Sequence, residues 1–368
     1  MSQRTATAIM VLWTASTLAC STSAPPAAEP KPPAQAGNAD SAKTQDVATG
    51  EEIEDVGELR AKRVEADVVG HPAPTPVVDL LDGDSLDLSD VVGRKPVYLK
   101  FWATWCVPCR EQMPHFEAAQ QRYGDDMTIV AVNVGLNESK DAVRDFQRDH
   151  DLSMPIGYDA DGRVAAAFQV EVTPQHILID ASGSIAYVGH RASQDLDQAL
   201  AAMSSDHAPT PTPPREAPAL AHESGASPLE LLDGGSFEVT AAAEQPTVLS
   251  FVATWCDWYL ADSRPAMSKA CIAQQERLNE LHATLGSQAR FIGVAQSLWT
   301  DEDQVRGYQE RYGIQFPLAL DRGGEWFSRF AVRDVPTTVV LDARGSERLR
   351  IAGAPADLET QLAAVLSP

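Results

Sequence analysis

The sequence predicts an α/β protein that contains two successive domains of the same design. Its 368 residues are enough for two separate hydrophobic cores. The segment Phe-Trp-Ala-Thr-Trp-Cys at 101–106 returns as Phe-Val-Ala-Thr-Trp-Cys at 251–256. In each copy an apolar, β-rich run leads into the segment, and helical and strand patterns alternate after it. Together these observations indicate a repeated domain.

The first domain, which we place at 67–204, has its elements in a readable order. The run Val97–Trp102 is typical of a buried strand, and Met113, Phe116 and Tyr123 then recur at the spacing of one helix face. The later elements are a strand, a helix with Val143 and Phe146 facing inward, two strands joined by a turn and a closing helix: 128–134, a start at Asn137 or Ser139, 175–180, 185–188 and 194–203.

The second domain, which we place at 218–368, repeats this order and carries an insertion. The Trp-Cys motifs are 150 positions apart, whereas Pro174 and Pro336 are 162 apart. The second domain therefore has twelve extra residues between its motif and its second strand. Matching Pro114 with Pro265 places one of them before Pro265 and eleven after it. The inserted region contains Cys271.

The segments outside the domains have their own compositions. Residues 1–20 resemble a bacterial lipoprotein export signal: the apolar stretch is too short to span a bilayer and ends at Cys20, which the signal would place under a lipid. Plain signal cleavage nearby is the alternative. Residues 21–66 predict a disordered tether with a possible short helix, and 205–217 predict a Pro-rich linker.

The charge and the cysteines limit the classes of function. The formal net charge is −23, which argues against nucleic acid as a partner because phosphate binding needs clustered Lys and Arg. Five cysteines are too few for a disulfide scaffold. One Cys-x-x-Cys pair supplies too few ligands for a zinc site, so we expect no metal and no cofactor.

The chemistry is expected at Cys106 and Cys109. A strand followed by Trp-Cys-x-x-Cys and a helix places Cys106 at a helix N-terminus, where unpaired N–H groups favour an anion. We therefore expect the pKa of the Cys106 thiol to lie below its ordinary value, which makes it the nucleophile. Cys109, one turn later, is close enough to resolve a mixed disulfide, and Trp105 is expected to shield the sulfur.

These motifs, with Met113-Pro114 and Thr173-Pro174, resemble thioredoxin-like proteins and in particular the exported TlpA-like (ResA-like) thiol–disulfide oxidoreductases. The resemblance implies two tandem thioredoxin-like domains, each a central mixed β-sheet flanked by helices. It implies cis peptide bonds before Pro174 and Pro336, and substrate binding by Trp105, Thr173 and Pro174. The implied partners are extracytoplasmic protein disulfides and a membrane electron donor, with the protein on the periplasmic side of a bacterial envelope.

Two positions depart from that family. Where thioredoxins carry a buried Asp, this chain has Lys100 in the first domain and Ser250 in the second. The Lys100 cation would favour a Cys109 thiolate, unless its amine reaches water, which is the interpretation that we prefer. Gln112 stands where TlpA-like proteins often have Glu, so the acid–base role of that position is not expected here.

Cys256 in the second domain has Tyr259 in place of a Cys-x-x-Cys partner. It is interpreted as bonded to Cys271, as a lone reactive thiol, or as a buried relic. A continuous helix would separate the two cysteines by about 22 Å, whereas a disulfide needs Cα atoms within about 7 Å. We therefore expect the pair to form if residues 257–267 loop back, and not if the extra residues lengthen the helix. The second domain is expected to dock substrates or regulate.

Two other functions are compatible with one dithiol. A Cu(I)-binding chaperone would use both thiolates as ligands. A thiol peroxidase would consume peroxide, but both domains read Thr-Trp-Cys rather than the Thr-x-x-Cys of such enzymes. His115 and His176 fall near the active face by position, and each is expected to be a surface or half-buried residue without a role in catalysis.

Overall fold

Two mixed five-stranded sheets, one in each domain, form the frame of the protein. The structure, a computed structural model, describes residues 55–204, 227–240 and 243–366, and the chain from Glu54 onward forms a single unit. The predicted export signal, Cys20, most of the tether and the Pro-rich linker lie outside the described residues.

Domain 1 begins with a helix and a short hairpin before its sheet. Its elements are α1 (Val56–Val68), β1 (Val77–Asp79), β2 (Ser85–Asp87), β3 (Val97–Trp102), α2 (Val107–Glu111), α3 (Met113–Tyr123), β4 (Thr128–Asn133), α4 (Lys140–Asp149), β5 (Ile156–Tyr158), α5 (Arg163–Ala167), β6 (Gln175–Ile179), β7 (Ile185–Gly189) and α6 (Gln194–Ser204). A short 3-10 turn covers Leu88–Asp90.

Domain 2 repeats the hairpin, the sheet and the order of helices. Its elements are β8 (Leu229–Glu230), β9 (Ser236–Phe237), β10 (Thr247–Val252), α7 (Cys256–Tyr259), α8 (Pro265–Leu285), β11 (Arg290–Gln296), α9 (Glu302–Tyr312), β12 (Leu318–Asp321), α10 (Glu325–Arg329), β13 (Thr337–Leu341), β14 (Glu347–Ala352) and α11 (Leu358–Leu366).

Both sheets have the same topology. The strand orders are β5-β4-β3-β6-β7 and β12-β11-β10-β13-β14. In each, the central strand runs parallel to the strand before the crossover helix and antiparallel to the one after the cis proline. All six residues of β3 and of β10 are buried, because helices cover both faces. The predicted fold of two domains, each with a mixed sheet flanked by helices, is confirmed.

The cis peptide bonds implied by the resemblance are present. Both lie at the start of the strand that follows the third crossover, at Thr173–Pro174 in domain 1 and Val335–Pro336 in domain 2. They end the loops that run past the cysteine motif of each domain. The loops therefore approach the motif from the far side of β6 and β13.

The helix predicted within the tether belongs to the folded part of the chain. Helix α1 is capped by the Asp55 side chain, which accepts a hydrogen bond from the Gly57 N–H. It packs on β7 and buries Ala61 and Val64. The tether predicted over 21–66 is thus wrong for its last residues, because the apolar face of this helix has a sheet to cover.

Candidate active site at Cys106 and Cys109

Strand β3 carries the chain to Cys106 at the edge of the sheet. Cys106 is the N-cap of α2, and its Sγ accepts a hydrogen bond of 3.2 Å from the Cys109 N–H. Pro108 lies in the first turn, where a missing N–H costs nothing. Cys106 and Cys109 are joined by a disulfide, with Cα atoms 5.2 Å apart. The predicted placement of a sulfur at a helix N-terminus is therefore present.

The loop that precedes the cis proline lies against this disulfide. Cys106 Sγ is 3.4 Å from the carbonyl oxygen of Thr173. Trp105, directly before the cysteine, is buried, and its Nε1–H donates a hydrogen bond of 2.8 Å to the Leu136 carbonyl. The structure thus brings together four residues that the sequence indicated, with Pro174 following Thr173.

Lys100 lies beneath Cys109 and does not reach water. It is fully buried, which corrects our expectation of a solvent-facing amine. Its Nζ donates a 3.4 Å hydrogen bond to the Cys109 carbonyl and lies 5.4 Å from the centre of the Phe116 ring. Burial lowers the pKa of Lys100 to about 7, so near neutral pH the amine exchanges a proton within reach of the dithiol.

His176 belongs to a buried polar chain next to Lys100. It is fully buried, which is wrong for the expected surface or half-buried residue. Its Nδ1 lies 2.7 Å from the Tyr98 hydroxyl and its Nε2 lies 2.9 Å from Oε1 of Gln112. Burial, with the charge of Lys100, holds the pKa of His176 well below its usual range, so the ring is neutral. His115 is partly exposed, as expected, with Nε2 2.7 Å from Oδ1 of Asp197.

A buried carboxylate that we did not predict stands on the other side of the motif. Glu138 is 8% exposed and accepts hydrogen bonds from the N–H and the hydroxyl of Thr104 and from the Asn133 amide. Burial raises its pKa, while these hydrogen bonds and the guanidinium of Arg264 act against the rise. Arg264 belongs to domain 2 and donates to the Thr104 hydroxyl (2.9 Å) and to the Asn137 carbonyl.

Domain 2 covers the face on which the disulfide lies. The rings of Trp105 and Trp255 have centres 4.9 Å apart, and Tyr259 packs edge-on against Trp105 at 6.2 Å. The Tyr259 hydroxyl accepts a 3.2 Å hydrogen bond from the Val107 N–H. Residues before and after Cys106 thus contact domain 2, and Cys106 itself is 1% exposed.

The contacts between the domains come in matched pairs. The Asn137 N–H donates to the Arg333 carbonyl, and the Trp299 N–H donates to the Glu171 carbonyl, both at 2.8 Å. Asn137 and Trp299 are themselves counterparts, and both have a left-handed backbone, with φ of 59° and 58°. Each domain therefore offers its cis-proline loop to the same turn of the other, an arrangement close to twofold symmetry.

Two further contacts hold the domains together around this pair. The Trp299 Nε1–H donates to the Thr173 hydroxyl at 3.4 Å, and its ring packs edge-on against His190. On the outer side, Arg60 of α1 forms a 2.8 Å ion pair with Asp301 at the start of α9. The Trp299 side chain thus lies beside the residue whose carbonyl touches Cys106.

In domain 2 the structure joins Cys256 to Cys271, with Cα atoms 6.2 Å apart. The sequence argument allowed this only if the extra residues did not lengthen the helix, and that condition is wrong. Helix α8 has 21 residues against 11 in α3, yet the chain breaks between α7 and Pro265, so Cys271 returns to Cys256.

Two searches concern other kinds of site. Among the residues that the structure describes, no group of three or more His, Cys, Asp or Glu side chains has the geometry to hold a metal ion. Within the same residues, no helix combines the length and apolar character needed to cross a bilayer.

Comparisons with known proteins agree with the site. A model of the AhpC/TSA family matches residues 69–188, and a model of the Redoxin family matches residues 205–366. Thioredoxin-like protein YneN of Bacillus subtilis (strain 168) is 37% identical over 134 residues, covering 36% of this chain and 78% of that protein. Thiol-disulfide oxidoreductase ResA of Geobacillus kaustophilus (strain HTA426) is 36% identical over 135 residues, covering 36% of this chain and 76% of that protein.

Among solved structures, this chain is similar to a thiol:disulfide interchange protein of the thioredoxin family from Chlorobium tepidum TLS. The two are 26% identical with a TM-score of 0.33, and the similarity covers 37% of this chain and 97% of that one.

Proposed function

The chain belongs to the thioredoxin-like thiol–disulfide oxidoreductases, and we propose that it reduces protein disulfides outside the cytoplasm through Cys106 and Cys109. The observation that carries this proposal is the sulfur of Cys106, which caps α2 and accepts the Cys109 N–H. A hydrogen bond of this kind favours the thiolate over the thiol, and the thiolate is the attacking form.

The steps follow from the positions of the two sulfurs. The Cys106 thiolate attacks one sulfur of a substrate disulfide, a mixed disulfide forms, and the other substrate sulfur leaves as a thiolate. Cys109 then attacks Cys106, which releases the second substrate thiolate and closes the disulfide within the chain. Lys100 would hold or release a proton near Cys109 as this sulfur becomes a nucleophile.

The reducing direction and the location come from the resemblance to exported TlpA-like proteins. An electron donor at the membrane would regenerate the dithiol, and a lipid on Cys20 would keep the protein at the envelope, on the periplasmic side. Domain 2 would regulate access, because its Trp255, Tyr259 and Trp299 contact the residues around Cys106. A substrate protein must then displace this face before it reaches the sulfur.

Trapping tests the proposed function. In a full-length Cys109→Ser variant the mixed disulfide has no resolving thiol, so Cys106 should stay joined to substrate proteins of the cell envelope. Mass mapping should find Cys106 linked to specific cysteines of those proteins. The matched control carries Cys106→Ser as well as Cys109→Ser and should capture none. Equal capture by the two variants, or none by either, would contradict the proposal.

A further inference from the structure

The strands fix how the two domains correspond along the chain. Val97 of β3 pairs with Thr128 of β4, and Thr247 of β10 pairs with Arg290 of β11. The first strands are therefore 150 residues apart and the second strands 162 apart, so the twelve extra residues lie between them. The question is where in that interval the offset changes.

The helices show that the offset has already changed at the buried face of α8. Gly124 ends α3 and Gly286 ends α8, and these two residues are 162 apart. Phe116 and Leu278, also 162 apart, are both fully buried. The C-terminal part of α8 is thus the counterpart of α3, and its N-terminal residues are the extension.

The polar residues beneath the motif carry the same offset up to the cysteines. Gln112 reaches His176, which pairs with Lys100 across the β3–β6 ladder. Gln274, which is 162 residues after Gln112, reaches the hydroxyl of Ser250, the counterpart of Lys100, at 3.4 Å. The two glutamines therefore occupy the same place under their sheets.

Cys271 therefore takes the place of Cys109. It lies 162 residues after Cys109, while Cys256 lies 150 after Cys106, so all twelve extra residues fall between Cys256 and Cys271. Tyr259, which the sequence comparison set against Cys109, lies inside the insertion. Matching Pro114 with Pro265 was wrong, because a proline in the first turn of a helix recurs for local reasons.

The two disulfides also lie in similar surroundings. Cys256 and Cys271 are 0% and 6% exposed, against 1% and 0% for Cys106 and Cys109. The residues directly before the first cysteine of each pair, Trp105 and Trp255, are in ring contact across the interface. Burial therefore does not separate an active pair from an inert one, and the two pairs face each other.

We propose that Cys256–Cys271 is a second redox-active disulfide, which exchanges electrons with Cys106–Cys109 inside the chain. The inference rests on the proposed function, because it makes domain 2 the internal electron donor of that dithiol. An external dithiol must first reduce Cys256–Cys271. The insertion then acts as a long link between the two sulfurs of one site, and Tyr259 on this link contacts α2.

The transfer balances as two exchange steps. The Cys256 thiolate attacks Cys106, a disulfide forms between the domains, and Cys109 leaves as a thiolate. The Cys271 thiolate then attacks Cys256, which closes Cys256–Cys271 and releases Cys106 as a thiolate. Two electrons pass from domain 2 to domain 1, and two thiols of domain 1 take up the protons that domain 2 gives up.

The direction follows from what each sulfur contacts. Cys106 caps its helix and accepts the Cys109 N–H, so its thiolate is stabilised and the reduced form of domain 1 is favoured. In domain 2 the helix begins at Cys256 itself, Trp255 is the N-cap, and no side chain caps the helix. The dithiol of domain 2 is therefore expected to be the stronger reductant.

The first test needs no substitution at the sites. The full-length protein is equilibrated with mixtures of reduced and oxidised dithiothreitol, quenched with acid and alkylated, and each disulfide is quantified by peptide mapping. We expect half-reduction of Cys256–Cys271 at a ratio of reduced to oxidised reagent at least tenfold higher than for Cys106–Cys109, with an unchanged circular dichroism spectrum. A Cys256–Cys271 bond that opens only when the protein unfolds would overturn the proposal, and one that is reduced first would overturn its direction.

The second test traps the intermediate between the domains. A variant with Cys20→Ser, Cys109→Ser and Cys271→Ser keeps only Cys106 and Cys256. Oxidation with diamide should join them at least ten times faster than it joins Cys106 to Cys271 in the matched variant that carries Cys256→Ser instead of Cys271→Ser. Equal or absent linking would overturn the proposal. Neither test involves a substrate protein, so failure here is distinct from failure of the trapping experiment.

Discussion

The two domains use one frame to hold two different cysteine pairs. In both, the central strand ends at a Trp-Cys step, and the Trp indole donates to the carbonyl of the same turn, Leu136 in domain 1 and Leu298 in domain 2. The strand therefore fixes the first cysteine in each domain. What differs is the link to the second cysteine, which has two residues in domain 1 and fourteen in domain 2.

The difference shows which parts of the site tolerate change. Because the second cysteine is held by the helix and not by the link, the link in domain 2 has grown into a turn that contacts the other domain. The polar surroundings have changed as well: domain 1 has the buried cation Lys100 where domain 2 has Ser250. The frame thus keeps two sulfurs together while their reactivity is set by what surrounds them.

The largest difference between the domains is expected when each first cysteine is removed. Cys106→Ser should lower the rate of insulin reduction by the full-length protein with dithiothreitol by at least ~10⁴-fold, since no other sulfur faces the substrate. Cys256→Ser should lower it less than about tenfold, because dithiothreitol reduces domain 1 directly. A Cys256→Ser variant as inactive as Cys106→Ser would show that domain 2 is the site that meets substrates.

Lys100 gives the next largest effect, on stability. Its pKa is about 7 in the folded protein, against an ordinary 10.5, because it is buried. The unfolded chain therefore binds more protons between pH 7 and pH 10.5, and the free energy of unfolding should rise with pH across this window. Lys100→Met should abolish that rise and stabilise the protein by about 3 kcal/mol at pH 7, after allowing for the lost hydrogen bond.

Urea unfolding at pH 7 and pH 9.5 measures this effect. Ser250→Ala in domain 2 is the control, because it removes no charge and should leave the dependence on pH intact. If Lys100→Met destabilises the protein at pH 7, the amine has a compensating partner and the burial argument is wrong.

Much of this comparison was predicted from the sequence, but not the parts that depend on contacts between distant segments. Apolar runs and the repeated motif indicated the strands, the two domains and the pair Cys106 and Cys109, because these signals are local. The packing of the two motif faces, and the Arg264 that reaches Thr104, have no local signal. Lys100 was misjudged because one residue in a strand does not show how deeply helices bury it.

A smaller effect should be the same in both domains. Asp159 and Asp321 are counterparts at the ends of β5 and β12, and each accepts two backbone N–H groups from the helix that follows. Burial raises the pKa of each to about 6, although these hydrogen bonds oppose the rise. The folded protein thus holds protons that the unfolded chain has lost, and stability should fall as pH rises from about 4 to 6.

Each single Asn variant, at Asp159 or Asp321, should remove about 2 kcal/mol of the loss in unfolding free energy between pH 4.5 and pH 6.5. Urea titrations at the two pH values measure it. If only one variant changes the dependence on pH, the two domains do not share this carboxylate site in the way that the frame suggests.

The smallest effect concerns the contact between the domains, and Trp299 offers a clean substitution. Its counterpart is Asn137, and both have positive φ, a conformation that Asn adopts more readily than most side chains. Trp299→Asn therefore keeps the turn and its backbone hydrogen bond to Glu171 while it removes the ring that contacts Thr173 and His190. Because Cys106 is 1% exposed, attack on it requires this face to open.

We expect reduced Trp299→Asn to react with iodoacetamide at Cys106 about tenfold faster than the unaltered protein, a change of about 1.4 kcal/mol in the free energy of opening. Peptide mapping after timed quenching measures the rate at Cys106 separately from the other thiols. Trp258→Asn is the matched control, since Trp258 is 59% exposed and should leave the rate unchanged. Equal rates in all three proteins would mean that the ring of Trp299 does not hold the two faces together, and that access to Cys106 is limited by the stacked Trp105 and Trp255 instead.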